Sequence, residues 1–351
     1  MLDAMIEKNL LPDSALRLGI RRLLRQRLRT EAQGGLEASH DRFMGFLETL
    51  KASPIAINTV EANDQHYELP VEFFQQVLGP QLKYSSGYWP EGVQSLDQAE
   101  EAMLALTAAR AGLQDGQQIL ELGCGWGSLT LWMAERFPSA RITAVSNSAP
   151  QRDHILAQAR ERGLDNLQVL TADMNTFDPP ERVYHRVVSV EMFEHMRNYE
   201  VLMGRIASWL APGGKLFVHI FTHREHAYPF EVHDDTDWMA RNFFTGGVMP
   251  SDHTLLYFQR DLRIQSHWRV NGRHYQTTAN AWLQRLDAGR EQLLALFRIT
   301  YGSNQALKRF VQWRVFFMAC AELFGFGGGE RWFVSHYLFE KTPRTAVEGN
   351  P

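Results

Sequence analysis

Two carboxylates and an imidazole stand together at Glu191-x-x-Glu194-His195, directly after an apolar run ending at Val190. A base whose pKa lies near working pH can take a proton from an incoming nucleophile, and a neighbouring carboxylate can orient that base or attract a cation. The competing reading of Glu194 and His195 is a cap or salt bridge at a helix start, where acids interact favourably with the macrodipole. A second constellation precedes this one. In Ile119-Leu120-Glu121-Leu122-Gly123-Cys124-Gly125-Trp126-Gly127-Ser128, an apolar strand carrying an acid runs into three glycines spaced by two. Such glycines let the backbone turn sharply and let a ligand approach without a Cβ in the way. A dinucleotide fingerprint would place its third glycine three positions after the second, with an acid ending the second strand. Here the spacing is Gly-x-Gly-x-Gly and the second strand ends in Val145-Ser146-Asn147, which counts against a nicotinamide cofactor. Asp173, just after the third strand, can accept a hydrogen bond from an adenine amino group.

These residues need a scaffold that places strand ends side by side. From about residue 93 the pattern alternates: a helix over 96–111, a strand over 118–122, a helix over 128–137 and a strand over 141–146. Further strands follow over 168–171, 186–190 and 215–221, the last preceded by a turn at Pro212-Gly213-Gly214. Such alternation predicts an α/β fold with a mostly parallel sheet covered by helices on both faces, and a ligand at the carboxyl ends of the strands. Residues 1 to about 75 read as helical. Leu16, Leu18, Ile20, Leu23, Leu24 and Leu28 supply an apolar face, and Arg17, Arg21, Arg22, Arg25, Arg27 and Arg29 fill the rest. A lid helix with a solvated basic side is favoured over contact with lipid. After 221 come a loop rich in His, Asp and Trp, a strand over 263–270, helices over 278–297 and 304–324, and a final strand over 330–341. The resulting division is an N-terminal helical cap and cofactor lid (1–92), a core (93–341) with a helical insertion (about 222–330) forming the acceptor pocket, and a frayed tail (342–351).

The 351 residues, 44% hydrophobic and 22% charged, can bury a sizeable core. A formal net charge of -4 gives no global field for nucleic acid. Cys124 and Cys320 have no metal-ligand spacing, and His223, His226 and His233 with Asp234, Asp235 and Asp237 match no trusted ligand pattern, so no metal is expected. The N-terminus lacks a secretory pattern and no run approaches the roughly 20 apolar residues of a membrane span, which together with free cysteines points to the cytoplasm. The late aromatic residues Trp238, Phe243, Phe244, Trp268, Trp313, Phe316, Phe317 and Phe324 are expected mostly in the core, with a minority lining a pocket.

Several segments in order carry a family resemblance. They are Lys83-Tyr84-Ser85-Ser86-Gly87-Tyr88-Trp89, Glu121 to Gly127, Val145-Ser146-Asn147-Ser148, Glu191 to Glu200, Asp234-Asp235-Thr236-Asp237-Trp238, His267 to Gly272 and Trp332-Phe333-Val334-Ser335-His336. Over roughly residues 60 to 340 the chain resembles the cyclopropane fatty acyl phospholipid synthase superfamily of methyltransferases, specifically its coclaurine N-methyltransferase branch. The resemblance implies a class I Rossmann-like methyltransferase fold with a seven-stranded sheet and an N-terminal helical cap. It implies S-adenosyl-L-methionine as cofactor and S-adenosyl-L-homocysteine as product. By position, Tyr84 and Ser85 should approach the methionine moiety, Glu121, Gly123 and Gly125 form the cofactor turn, Asn147 and Gln151 meet ribose or adenine, and Asp173 with Met174 meet adenine. His195 is then the base, Glu194 orients it and attracts an ammonium, and Glu191 is a supporting anion. The acceptor expected is a small hydrophobic or arylalkyl amine, with a homodimer left open.

Cyclopropane-forming relatives instead hold a bicarbonate. Their site resembles a cysteine in a Tyr-Ser-Cys motif, the glutamate of Phe-Glu-His, a histidine on the fifth strand and a tyrosine on a late helix. Here Ser86 replaces the cysteine and Trp313-Arg314-Val315-Phe316-Phe317 carries no tyrosine, while Glu194 and His219 remain. The alternative activity is therefore cyclopropanation or C-methylation of unsaturated acyl chains.

Overall fold

In the computed structural model the described residues are 2–57, 69–231 and 243–342. His233, Asp234, Asp235, Asp237 and Trp238 lie outside them. Helices α1 (Leu2–Glu7), α2 (Asp13–Glu31), α3 (Gly35–Ala52) and α4 (Val71–Val77) precede α5 (Leu96–Ala111), whose first turn is capped by the Ser95 hydroxyl accepting from Gln98 N–H. Then come β1 (Gln118–Leu122), α6 (Ser128–Arg136), β2 (Arg141–Ser146), α7 (Ala149–Arg162), β3 (Leu167–Thr171), β4 (Tyr184–Val190), α8 (Tyr199–Trp209) and β5 (Leu210–His223). The chain continues through the short pair β6 (Tyr228–Pro229) and β7 (Val248–Met249) to β8 (Leu262–Val270), α9 (Gly272–Ala288), α10 (Arg290–Tyr301), α11 (Ser303–Gly325) and β9 (Trp332–Lys341).

Seven strands form one sheet in the order β3-β2-β1-β4-β5-β9-β8, parallel from β3 to β5 and antiparallel on either side of β9. The strand order reverses between β1 and β4, the switch point where an open α/β sheet leaves a crevice at its strand ends. Successive strand residues face opposite layers. Leu120 and Leu122 of β1 join Leu216, Val218 and Ile220 of β5 under α3 and α8, whereas Ile119 and Phe217 pack with Leu104, Leu129 and Trp132 under α5 and α6.

The structure corrects several sequence expectations. Pro212-Gly213-Gly214 does not precede β5 but forms an irregularity within it, since Tyr184 pairs with Leu210 and Arg186 with Lys215. The helix expected over 278–297 begins at Gly272 and stops at Gly289, which separates α9 from α10. On α2 the partly buried stripe packed on the core is Leu16, Ile20, Leu24 and Leu28, the i, i+4 series, while Leu18 and Leu23 remain 62% and 42% exposed. Nor is its basic side simply solvated. Arg17 and Arg21 donate to Glu322 of α11 at 2.9 and 2.5 Å, and Arg314 of α11 bridges Asp287 and Asp13. Glu322→Ala removes the carboxylate shared by both α2 guanidiniums, leaving Arg17 only Asn280, and weakens the docking of α2 by about 1–3 kcal/mol. Hydrogen-exchange mass spectrometry should show faster exchange confined to 13–31; unchanged protection there would show that the apolar stripe and the Arg314–Asp13 pair hold the helix without Glu322. No helix among the described residues is long and apolar enough to cross a membrane.

Candidate active site

The ends of β1, β2 and β4 open into a cavity of about 1290 Å³ including its mouth, enough for a nucleoside and a second small ligand. Its floor begins where β1 becomes the glycine turn. Gly123 (φ 81°) and Cys124 both donate their N–H to the Val145 carbonyl at 2.9 Å, which turns the chain across β2 before Gly127 starts α6. A Cβ on Gly123 would lie 2.6 Å from Met192 Cβ, so the turn packs directly under the segment after β4. Glu121, buried in β1, accepts from Thr130 at 2.5 Å, and burial pushes its carboxyl up to about 8. Ser148 caps α7, and Gln151 in its first turn accepts from the Ser146 hydroxyl at 2.6 Å. Asp173 accepts from Asn175 N–H at 2.7 Å, and Ala172, Asp173 and Met174 line the cavity.

All nine residues that the sequence assigned to cofactor binding line this cavity: Tyr84, Ser85, Glu121, Gly123, Gly125, Asn147, Gln151, Asp173 and Met174. Three buried polar atoms on the same wall, Gln151 Nε2, Trp126 Nε1 and Ser128 Oγ, have no hydrogen-bond partner in the protein. Buried donors normally find acceptors. A polar nucleoside is what such a wall fits, so S-adenosylmethionine suits the residues present. Trp126 and Ser128 were missed as ligand groups because their role depends on burial rather than on residue spacing.

The loop carrying Tyr84, Ser85 and Ser86 is pinned to α9 by Gly87 N–H donating to Thr278 at 3.0 Å and Trp89 N–H donating to His274 at 3.0 Å. Lys83, also missed by the sequence reading, is buried with its ammonium donating to the Ser86 carbonyl at 2.9 Å and to the Ser85 hydroxyl. Burial lowers it to about 8. Tyr84 joins the cavity to an aromatic cluster, its ring 5.7 Å from Trp282 and 6.3 Å from Trp313. Phe243, Trp313, Phe316 and Phe317 pack together in that cluster.

At the end of β4, Glu191 adopts φ 48°, a conformation few side-chain-bearing residues occupy and one that marks functional sites. The carboxylate accepts Ser86 N–H at 3.1 Å, His219 Nε2 lies 3.2 Å away, and the Tyr275 hydroxyl donates at 2.7 Å. The late helix indeed carries no tyrosine at 313–317, but Tyr275 of α9 supplies one here. Glu191, Met192, His195 and Met196 line the cavity. His195 stacks on Phe244 at 4.9 Å, and burial lowers its pKa to about 4, leaving a neutral ring.

Glu194 is 2% exposed on the short 3₁₀ turn Phe193–His195, does not belong to the cavity lining, and its Oε2 has no hydrogen-bond partner. Burial, then repulsion from Glu191, raises its pKa well above the usual carboxylate range. Burial raises Glu191 as well, but Lys83, the Tyr275 hydroxyl and the Ser86 N–H oppose that rise, whereas Glu194 faces the Glu191 charge, so of the two acids Glu194 is the one favoured to hold the proton. The anion facing the cavity is thus Glu191 rather than Glu194. Among the described residues no group of three or more His, Cys, Asp or Glu could hold a metal ion.

The family model of mycolic acid cyclopropane synthetase matches residues 56–329. The chain is 38% identical over 340 residues to (S)-coclaurine N-methyltransferase of Thalictrum flavum subsp. glaucum, covering 96% of this chain and 94% of that protein. It is 29% identical over 223 residues to the cyclopropane-fatty-acyl-phospholipid synthase of Escherichia coli, covering 63% and 55% of the two chains. A crystal structure of coclaurine N-methyltransferase bound to N-methylheliamine and S-adenosylhomocysteine superposes with a TM-score of 0.93 at 37% identity, over 97% of this chain and 99% of that one.

Proposed function

The chain belongs to the mycolic acid cyclopropane synthetase family and is an S-adenosylmethionine-dependent methyltransferase; from that premise we propose that it methylates the nitrogen of a small hydrophobic or arylalkyl amine. One observation carries the choice of acceptor. The backbone N–H at Ser86, the imidazole of His219 and the hydroxyl of Tyr275 all converge on the Glu191 carboxylate. These groups hold a carboxylate of the chain itself at the cavity wall, beside the neutral imidazole of His195, which favours a cationic amine as the acceptor.

When bound, the cofactor supplies a methyl group on a sulfonium for in-line displacement, so much of the rate comes from near-attack positioning. Glu191 attracts the amine as its ammonium into a cavity walled by Tyr84 and Trp126. His195 takes the ammonium proton, freeing the lone pair; burial makes the ring a weak base, and the Glu191 charge offsets this by stabilising the imidazolium that forms. Glu194, neutral beneath the turn, positions His195 through the 3₁₀ backbone rather than binding the cation. The residues of 1–92 act as cap and lid, and 222–330 supply the acceptor side. The buried, unpaired Cys124 and Cys320 suit a reducing compartment, and we place the protein in the cytoplasm.

Incubation with S-adenosylmethionine and either a panel of benzylisoquinoline-like and other secondary amines or vesicles of unsaturated phospholipid tests the acceptor. Mass spectrometry should show a one-methyl gain on an amine. A gain on the acyl chains alone would overturn the reading.

A further inference from the structure

Behind Glu191 a line of polar contacts runs across neighbouring strands on the face of the sheet that α5 covers. His219 on β5 and His336 on β9 are register partners in the antiparallel ladder, both fully buried. His219 Nδ1 lies 2.9 Å from His336 Nε2, and His336 Nδ1 lies 2.8 Å from an Arg110 guanidinium nitrogen at the end of α5. Phe217 packs edge-on against the His336 ring, and Arg110 lies over the Trp268 ring at 5.1 Å. Arginine can only donate, and a neutral imidazole carries one proton. The direction of every bond is therefore fixed: Arg110 donates to His336 Nδ1, His336 Nε2–H donates to His219 Nδ1, and His219 Nε2–H donates to Glu191 Oε1. Without Arg110 a reversed line becomes available, in which a protonated Glu191 donates to His219 Nε2, His219 Nδ1–H donates to His336 Nε2, and the His336 Nδ1–H points at the vacated place.

We propose that Arg110 is a positioning residue for Glu191, fixing the tautomers of His336 and His219 so that an N–H always faces the carboxylate. The inference rests on the proposed role of Glu191 as the anion of the acceptor site. Because arginine cannot accept a proton, the line does not carry protons out of the site; it works as a latch. Other groups also face Glu191. Lys83 and Ser86 N–H come from the pinned loop, Tyr275 from α9, Cys320 from α11, and His195 with Glu194 from the 3₁₀ turn. Tyr88 faces Arg110, and Lys83 also acts on both imidazoles. None of them bonds His336 Nδ1, so none can replace the lock.

The test is Arg110→Met, which keeps an apolar stem over Trp268, beside Arg110→Lys, which restores a charged donor. Imidazole nitrogen NMR of the labelled full chain, assigned with His219 and His336 single variants, should show Nε2–H tautomers on both rings in the parent and in Arg110→Lys, and loss of that pattern in Arg110→Met. For the amine reaction, Arg110→Met should raise the acid limb of the kcat/KM profile by about one pH unit, which is about a tenfold loss of kcat/KM at a pH on that limb. The sign follows from the carboxylate: losing a donor makes its charged form harder to keep, so activity is lost at a higher pH as pH falls. An Nδ1–H tautomer on either ring in the parent would overturn the latch. So would an Arg110→Met protein with parent-like tautomers, or one whose melting temperature falls while its pH profile stays put. The spectra need no turnover, so a failure to methylate amines would count against the proposed function and leave the tautomer result standing.

Discussion

His195→Ala protein methylates its amine about 10²- to 10⁴-fold more slowly than the parent, the usual contribution of a positioned general base, while its affinity for S-adenosylmethionine is unchanged. Two observations set this expectation. His195 lines the same cavity as Glu191, and burial lowers its pKa to about 4, so the ring is neutral through the ordinary working range. The sign for pH follows: a depressed imidazole is competent as a base above its own pKa and loses that competence as pH falls through it. The acid limb of kcat arising from this ring should therefore lie below the ordinary histidine range. Steady-state kinetics with titration calorimetry of cofactor binding separate the outcomes. Full activity of His195→Ala on the true acceptor would remove His195 as the base and leave Glu191 as the remaining candidate. A parallel loss of cofactor affinity would mean that the ring shapes the cofactor pocket instead.

Gly123→Ala should damage both stability and cofactor binding. At φ 81° a residue with a Cβ pays roughly 1–2 kcal/mol for the left-handed conformation alone. The added carbon would also lie 2.6 Å from Met192 Cβ and 2.7 Å from its Cγ, and neither is the free end of a flexible side chain. Overpacking of this kind costs about 1–3 kcal/mol more. Relief must come from moving either the glycine turn or the Glu191-Met192 segment, and both line the cavity. The expected result is a lower melting temperature together with loss of measurable cofactor binding. Gly125→Ala makes the comparison informative, because at φ 52° its Cβ meets nothing within 4 Å. If the two variants lose equal stability, backbone strain accounts for the effect and the contact with Met192 does not.

The sequence alone determined the features that depend on short spacing. Alternation of apolar runs with amphipathic helices predicted the parallel sheet, and α5 and β2 begin and end where the pattern places them, at Leu96–Ala111 and Arg141–Ser146. The glycine turn was legible because a positive φ and a close approach each require a missing Cβ, a demand written into residue type. Likewise Glu121, Gly123, Gly125, Asn147, Gln151, Asp173 and Met174 sit on strands or within a few positions of strand ends, so naming the strands located them, whereas Tyr84 and Ser85 came from the family resemblance. The stretch from Glu191 to His195 was visible as a cluster, but which acid faces the cavity was not. That choice follows from a backbone turned to φ 48° at Glu191 and from donors contributed by Ser86, His219 and Tyr275, separated from it by 105, 28 and 84 positions. No local period encodes contacts at such separations. The same holds for Lys83 behind its loop, for Arg17 and Arg21 on Glu322, and for Arg110 reaching His336 across 226 positions. Residue spacing thus specified which groups are available for chemistry. Burial and cross-sheet pairing, settled only when the chain folds, decided which of them is charged, which is neutral, and which way each donor points.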